Sequence, residues 1–195
     1  MRNDIQRLFI ALDLPTAVQT SLYHMACEIR GARPVPREQM HLTLKFIGDV
    51  EKQAVISLKE ALTTIQIPEF NLNLLGIGHF PPRGNPRIVW AGISPKNELL
   101  MLHSAIEQTL GKLGYAKEKR PFSPHITLAR LKTFHNDSVT SFLARYKDFR
   151  AESSLIESFK LYSSRLTEAG AIHSLESAFP LEKCSRERQT ENREK

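Results

Sequence analysis

Cysteine is nearly absent from this chain, whose 195 residues include only two. Cys27 falls in a predicted helix, Cys184 lies near the C-terminus, and no Cys-x-x-Cys pair occurs. This spacing excludes a disulfide framework and a zinc or redox motif built on cysteine pairs. We expect one core thiol, Cys27, and one exposed thiol.

Long hydrophobic runs are also missing. No segment approaches the roughly 20 apolar residues of a membrane-spanning helix. The N-terminal sequence MRNDIQRLFIALDL has too short an apolar run for a signal peptide, and it carries Asp4 and Asp13. We therefore expect a cytoplasmic protein that has no membrane partner.

Several common catalytic signatures do not occur. The chain lacks both usual glycine-rich phosphate loops, GxGxxG and GxxxxGK followed by Ser or Thr. It also lacks the Gly-x-Ser-x-Gly elbow of serine hydrolases and any short-period repeat. A P-loop nucleotidase, a dinucleotide-binding enzyme and a solenoid are thereby disfavoured.

The composition is that of an ordinary globular protein, with 41% hydrophobic and 25% charged residues. The net charge of +6 suits an anionic partner such as nucleic acid, although charge alone is weak support. Residues 183–195 are polar and of mixed charge, so we expect a disordered tail there. Residues 1–182 are expected to form a single domain of two lobes.

Hydrophobic spacing predicts an α+β fold. The predicted strands are 7–12, 41–47, 70–77, 87–93, 125–131, 153–164 and 171–179. The predicted helices are 16–30, 51–65, 98–113 and about 139–146. The order is not the regular alternation of a doubly wound sheet, and each half contains one strand of the same unusual pattern. Two similar lobes are therefore expected.

The repeated pattern is His-x-Thr-Leu, in HLTLKFIG at 41–48 and HITLARLK at 125–132. Alternate residues of a strand share a face, so His41 and Thr43 point one way while Leu42, Leu44 and Phe46 point to the core. The second copy places His125 and Thr127 together in the same manner. Each strand thus carries an imidazole and a hydroxyl on one face, while the apolar residues of its other face pack into the core.

Two such strands facing one substrate predict acid–base catalysis. A neutral imidazole takes a proton from water while a protonated one gives a proton to a leaving oxygen. The threonine hydroxyls would stabilise an oxyanion between the histidines, which suits in-line displacement at phosphorus. The residues alone do not tell which histidine is the acid.

A metal site is the competing interpretation of the two histidines. Neither histidine has a second His, Cys or carboxylate at ligand spacing, and threonine is a poor zinc ligand. We therefore expect no metal and no cofactor.

These motifs, with RLFIALDLP, GIGHFPP, RIVWAGI, RPFSPHITLAR and FKLYSSRLTEAG in the same order, resemble the 2H phosphoesterase superfamily. The closer resemblance is to the RNA 2′,3′-cyclic phosphodiesterases, the LigT or "2′-5′ RNA ligase" family, and it covers nearly the whole body of the chain. It implies two pseudo-symmetric lobes with antiparallel sheets lining a central cleft and helices outside.

The resemblance also implies metal-independent hydrolysis of a terminal 2′,3′-cyclic phosphate on RNA to a 2′-phosphate. His41 would be the proton donor to the leaving 3′ oxygen, and His125 the proton acceptor that activates water. Thr43 and Thr127 would bind the phosphate.

Two cations follow the motifs as further candidate phosphate contacts. Lys45 shares the His41 face by simple alternation. Arg130 points away from the corresponding face unless the strand twists or bulges there.

Other residues near the motifs are weaker candidates or structural. Phe80 and Arg83, in the GHFPPRGNP segment, are candidate substrate contacts through base stacking and backbone charge. Phe46 and Trp90 are expected in the core. His79 and His173 are expected to stand outside the site, and His103 is expected to be structural.

Two alternatives stay open beside hydrolysis. Joining RNA ends through a 2′-5′ linkage would use the same site with a 5′-hydroxyl in place of water. A non-catalytic RNA-end-binding module is the other alternative, although binding alone would not demand two titratable groups. The expected partners are RNA 3′ ends with a 2′,3′-cyclic phosphate and small cyclic nucleotides, and the protein is expected to be a monomer.

Overall fold

The computed structural model describes residues 5–94, 97–131, 136–151, 154–168 and 170–183. The strands in these segments are β1 (Ile5–Asp13), β2 (Ala32–Pro34), β3 (His41–Glu51), β4 (Phe70–Leu72), β5 (Leu74–Phe80), β6 (Ile88–Ile93), β7 (His125–Leu131), β8 (Ser154–Ile156), β9 (Ser158–Thr167) and β10 (Gly170–Pro180). The helices are α1 (Thr16–Cys27), α2 (Lys52–Thr63), α3 (Asn97–Lys112) and α4 (Asn136–Arg145), with a 3-10 turn at Arg37–Gln39.

Eight of the strands form one antiparallel sheet in the order β10-β9-β1-β3-β7-β6-β5, with β2 paired to β7 beside this path. We call β1, β3, β9 and β10 the first half of the sheet, and β2, β5, β6 and β7 the second half. β4 and β8 form a separate two-stranded sheet. The α+β prediction with antiparallel strands is confirmed.

The two halves are related by an approximate two-fold axis. They join where Leu42 of β3 pairs with Ile126 of β7, and β4 pairs with β8 about Asn71 and Leu155. Each of these pairs joins residues 84 positions apart in the sequence. Both antiparallel pairs therefore lie on the axis that relates the halves.

One hydrophobic core lies on the helix side of the sheet. It takes Leu42 and Ile126 from the junction, which are fully buried, together with the apolar faces of the helices. The helix residues in this core include Leu22, Leu58, Leu102, Ile106 and Val139. The residues that alternate with Leu42 and Ile126, namely His41, Thr43, His125 and Thr127, lie on the opposite side of the sheet. We call this side the polar face.

Each motif strand carries a β-bulge directly after His-x-Thr. The β1–β3 register passes from Ala11–Thr43 to Ile10–Lys45, so Leu44 is the extra residue. The β6–β7 register passes from Trp90–Thr127 to Val89–Ala129, so Leu128 is the extra residue there. An extra residue reverses the alternation of side chains beyond it. The faces of residues 45–47 and 129–131 are therefore opposite to those that simple alternation predicts.

Most predicted elements are present, with some differences. The predicted strand 70–77 is two strands, because Phe70–Leu72 pairs with β8 whereas Leu74–Phe80 pairs with β6. Cys27 is exposed, so its assignment to the core is wrong. The described residues contain no helix long and apolar enough to cross a membrane. Apart from Lys183, the predicted tail lies outside the described residues.

Candidate active site

The two motifs meet in a crossed register. Leu42 and Ile126 are paired, and directly opposite residues of an antiparallel ladder share a face. Extending this register by one residue either way sets His41 beside Thr127 and Thr43 beside His125. All four side chains are partly exposed, whereas Leu42 and Ile126 are buried. The four predicted motif residues therefore come together on the polar face.

The crossed register also spaces the two imidazoles. His41 and His125 occupy diagonal positions, two residues apart along the strand direction. With strands about 4.8 Å apart and a rise of about 3.3 Å per residue, their Cα atoms are about 8 Å apart. Such a span accommodates a phosphate group between two imidazoles, with a threonine at each side.

The ring of His125 is oriented by a hydrogen bond to the backbone just before β7. Its Nδ1 lies 2.8 Å from the carbonyl oxygen of Ser123. A carbonyl only accepts hydrogen bonds, so Nδ1 is the protonated nitrogen. In neutral His125 the lone pair is therefore on Nε2, away from the backbone.

The ring of His41 lies in an aromatic cluster of the first half. It stacks on Phe9, with ring centroids 5.1 Å apart, and meets His173 edge-on at 5.7 Å. The ring of Tyr162 is near both, with its centroid 5.4 Å from that of Phe9 and 6.4 Å from that of His41. The cluster orients His41 and shields it from water.

An acidic group faces His41 across the β1–β3 ladder. Asp13 is the register partner of His41, and its Oδ2 lies 2.6 Å from Nζ of Lys160. The hydroxyl of Tyr162 donates to the same carboxylate at 2.8 Å. Burial and the hydrogen bond to Asp13 raise the pKa of Tyr162, so this hydroxyl stays a donor at neutral pH. The carboxylate is thus fixed beside the imidazole.

Burial is the main influence on the charge of His41. Burial and the nearby His173 lower the pKa of His41 to about 4, while Asp13 and a hydrogen bond with the backbone of Gln39 act in the opposite sense. The net result is a neutral imidazole at pH 7, even with the Asp13 carboxylate beside it. Burial also lowers the pKa of His173, which keeps that neighbour neutral as well.

Lys45 does not share the face of His41, and that prediction is wrong. The bulge at Leu44 turns Lys45 to the helix side, where its side chain is only 4% exposed. Its Nζ lies 2.6 Å from Oε1 of Glu107 and donates to the carbonyl of Ala116 at 2.7 Å.

The same bulges bring two other residues to the polar face. Phe46 is 64% exposed, and its ring lies 6.1 Å from that of Phe9, so its assignment to the core is wrong. Arg130 is exposed and, because of the extra residue Leu128, lies on the histidine side of β7. Arg130 was predicted to reach this face only if the strand twists or bulges, and the bulge at Leu128 is present.

Aromatic residues also line the His125 side. Phe80 meets the His125 ring edge-on with centroids 5.0 Å apart, and Trp90 lies at 6.3 Å. Trp90 pairs with Thr127 and is partly exposed, so it belongs to the polar face rather than to the core. Arg83 lies in the exposed loop after Phe80, and its predicted contact with substrate stays a prediction.

Three further histidines, His79, His103 and His173, differ in their relation to the site. His173 contacts His41, so the prediction that it stands outside the site is wrong. His103 of α3 stacks on Phe122 with centroids 3.9 Å apart, which suits its predicted structural role. His79 lies on β5 with a buried Nδ1.

Sequence reasoning missed Phe9, Asp13, Lys160 and Tyr162. Their proximity to His41 depends on the long-range pairing of β1 with β3 and β9, which no local pattern reveals. Among the described residues, no group of three or more His, Cys, Asp and Glu side chains is placed to hold a metal ion.

The motif geometry agrees with a comparison to known families. A family model for LigT-like phosphoesterases matches residues 12–90 and 93–173 in two segments. The chain belongs to this family. Each matched segment contains one His-x-Thr motif, as the approximate two-fold axis requires.

Relatives of this LigT-like phosphoesterase carry a common name. A protein of Archaeoglobus fulgidus is 30% identical over 170 residues, covering 86% of this chain and 96% of the relative. A protein of Thermotoga maritima is 31% identical over 173 residues, covering 86% and 91%. Both are named RNA 2′,3′-cyclic phosphodiesterase.

Two solved proteins superpose on this LigT-like phosphoesterase. A Thermus thermophilus protein superposes with a TM-score of 0.76 at 28% identity, covering 89% of this chain and 97% of that one. Escherichia coli LigT in complex with 3′-AMP gives 0.76 at 26% identity, covering 91% and 99%. The same LigT in complex with phosphate gives 0.71 at 26% identity, covering 91% and 98%.

Proposed function

We propose that this protein hydrolyses a terminal 2′,3′-cyclic phosphate on RNA, leaving a 2′-phosphate and a free 3′-hydroxyl. The observation that carries the proposal is the crossed pairing of two His-x-Thr motifs on one face of the sheet. The names of the relatives and the 3′-AMP and phosphate complexes of E. coli LigT support the substrate class.

His125 is the general base of the proposed reaction. Its Nδ1–H donates to Ser123, which leaves the Nε2 lone pair free to take a proton from water. The resulting hydroxide-like oxygen attacks phosphorus, and the bond from phosphorus to the 3′ oxygen breaks. The bond to the 2′ oxygen is kept, so the product is a 2′-phosphate.

His41 is the general acid, which protonates the departing 3′ oxygen. With a pKa of about 4 the ring does not hold a proton at pH 7 unaided. The phosphodiester anion adds a negative charge beside the ring, and Asp13 already contributes one, so both favour the imidazolium. The acid role of His41 therefore depends on the charge of the substrate itself.

Thr43, Thr127 and Arg130 bind the phosphate. The two hydroxyls flank the space between the histidines, and the Arg130 guanidinium supplies a positive charge from the same face of β7. Phe46 and Phe80 present aromatic surface to a nucleobase. Lys45 has no part in this binding, because it is buried on the other side of the sheet.

The deciding assay uses an oligonucleotide with a 2′,3′-cyclic phosphate end, incubated with the purified protein in EDTA. We expect a 2′-phosphate end, identified against 2′- and 3′-phosphate standards. His41→Ala and His125→Ala should each lower kcat by about 100-fold or more, the usual contribution of a general acid or base. His24→Ala, at an exposed position of α1, is the matched control.

Several outcomes would contradict the proposal. Near-normal turnover by either histidine variant, or loss of wild-type activity in EDTA, would exclude the paired-histidine mechanism. When a 5′-hydroxyl RNA is added, a joined strand in place of the 2′-phosphate end would identify a ligase. Binding of the cyclic end without turnover would identify a binding module. Adenosine 2′,3′-cyclic phosphate in the same assay tests small cyclic nucleotides as substrates.

A further inference from the structure

A buried lysine connects the first motif strand to the segment that leads into the second motif. Lys45 follows the Leu44 bulge and points to α3, where its side chain is 4% exposed. A buried ammonium requires partners, and it has Oε1 of Glu107 at 2.6 Å and the carbonyl of Ala116 at 2.7 Å. Ala116 belongs to residues 113–124, the segment between α3 and β7.

This segment is anchored at further points before it reaches His125. The backbone N–H of Glu118 points to Oε2 of Glu107 at 3.4 Å. The ring of Phe122 stacks on His103 of α3, with centroids 3.9 Å apart and planes 11° from parallel. The next residue is Ser123, whose carbonyl accepts from Nδ1 of His125. The position of that carbonyl therefore follows from how residues 113–124 are held.

Comparison of the two halves shows that the Lys45 side chain stands where the first half has a strand pairing. In the first lead-in segment, Ala32–Pro34 form a strand that pairs with Ala129–Leu131 of β7, and Val35 donates to Leu128 at 2.8 Å. The segment 84 positions later, residues 116–118, is described and forms no strand. Its connection to the opposite motif strand is made by the Lys45 side chain instead. The residue equivalent to Lys45 in β7 is Ala129, so this connection exists on one side of the axis only.

We propose that Lys45, with Glu107, is a positioning residue for His125. It acts through residues 116–123, which set the Ser123 carbonyl and hence the protonated Nδ1 and the free Nε2 of the base. The inference rests on the proposed function for its effect on turnover, but its effect on the His125 ring does not require substrate.

The test removes the connection while keeping the protein folded. Lys45→Met together with Glu107→Met replaces a buried ion pair by two unbranched apolar side chains of similar length, and leaves no unpaired buried charge. We expect kcat for the cyclic-phosphate oligonucleotide to fall by about tenfold or more with KM within twofold, because Lys45 lies away from the substrate face. The control is Lys59→Met with Glu176→Met, an ion pair that joins α2 to β10 rather than β3 to α3.

A second measurement reads the His125 ring directly. Nitrogen-15 NMR of the free protein should show the Nδ1–H tautomer of His125 in the wild type and in the control pair. The Lys45/Glu107 double variant should show a mixture of tautomers. Phe122→Leu, which releases an independent anchor of the same segment, should give the same two changes if the double variant does not fold.

The outcomes separate the two proposals. A folded double variant with wild-type kcat and an unchanged His125 tautomer would overturn the positioning role, as would a change confined to KM. If the wild type does not hydrolyse the cyclic phosphate, the proposed function fails. The tautomer measurement alone then decides the role of Lys45.

Discussion

Asp13 and Gly92 occupy corresponding positions, each opposite one of the motif histidines. Asp13 pairs with His41 in the β1–β3 ladder, and Gly92 pairs with His125 in the β6–β7 ladder. A Cβ atom at position 92 would come within 2.5 Å of the Leu75 carbonyl oxygen, so no larger residue fits there. One histidine therefore has a carboxylate neighbour opposite it and the other has a glycine, which gives two similar strands different electrostatics.

The depressed pKa of His41 predicts acid sensitivity of the fold. In the unfolded chain the ring titrates near 6.5, and in the folded protein the pKa is about 4. Between these values the unfolded state binds the extra proton, so the free energy of unfolding should fall as the pH is lowered from about 6.5 to about 4. The lowered pKa values of His103 and His173 act in the same direction.

Urea denaturation at several pH values measures this effect. His41→Gln should reduce the pH dependence by up to about 1.4 kcal/mol per pH unit between about pH 6 and pH 4.5, since one proton is no longer taken up on unfolding. His24→Gln, at an exposed site, should retain the wild-type slope. Equal slopes in wild type and His41→Gln would show that His41 is not buried as described.

At the scale of the element, the paired bulges decide which side chains lie on the polar face. Without the extra residues Leu44 and Leu128, Lys45 would lie on the polar face, and Phe46 and Arg130 would not. The first strand thereby presents an aromatic ring and the second a guanidinium. A nucleobase and a phosphate can thus be bound at corresponding positions of two similar strands.

Arg130 is the cation of the polar face that we propose binds the phosphate. Arg130→Met should lower kcat/KM for the cyclic-phosphate oligonucleotide by about 10-fold or more, because a hydrogen bond to a charged group contributes about 1.5–3 kcal/mol. It should also weaken inhibition by inorganic phosphate. Arg145→Met, which removes an exposed arginine of α4 that pairs with Glu28, should change neither quantity. Unaltered phosphate inhibition in Arg130→Met would assign the guanidinium to solvent.

The bulges also limit how much of the site could be predicted from the sequence. Alternation correctly placed His41, Thr43, His125 and Thr127, because these residues precede the extra residue in each strand. It failed for Lys45 and Phe46, because a period of two residues does not register an insertion in the ladder. The aromatic and acidic neighbours of His41 lie on β1, β9 and β10, so they required the pairing of strands far apart in the chain. Most of the longer strands were predictable, since their apolar runs are bounded by glycine and proline, but the short strand β2 was not.

At the scale of the whole molecule, the apolar residues between the histidines join the two halves to one core. Leu42 is fully buried at the junction, where it pairs with Ile126. Leu42→Ala should lower the free energy of unfolding by about 2–5 kcal/mol, the usual cost of a cavity at a buried leucine. Leu166→Ala, at a position 68% exposed on β9, is the matched control and should change it by less than about 0.5 kcal/mol.

Chemical denaturation of the two leucine variants distinguishes them. A small effect of Leu42→Ala, comparable to that of Leu166→Ala, would mean that the halves are stable without the junction. A loss within the expected range, in a single cooperative transition, would indicate that the halves unfold together.

The strands that cross the two-fold axis have a consequence for ancestry. β3 with β7, and β4 with β8, are counterparts that pair with one another at the same offset of 84 residues. A segment pairing with its own copy across a dyad is the contact found in isologous homodimers. A half-length ancestor would build this fold as a dimer, with two identical histidines at the interface. Tandem duplication of its gene would allow the copies to mutate separately, so that one ancestral histidine could give rise to two with different neighbours, Asp13 opposite one and Gly92 opposite the other.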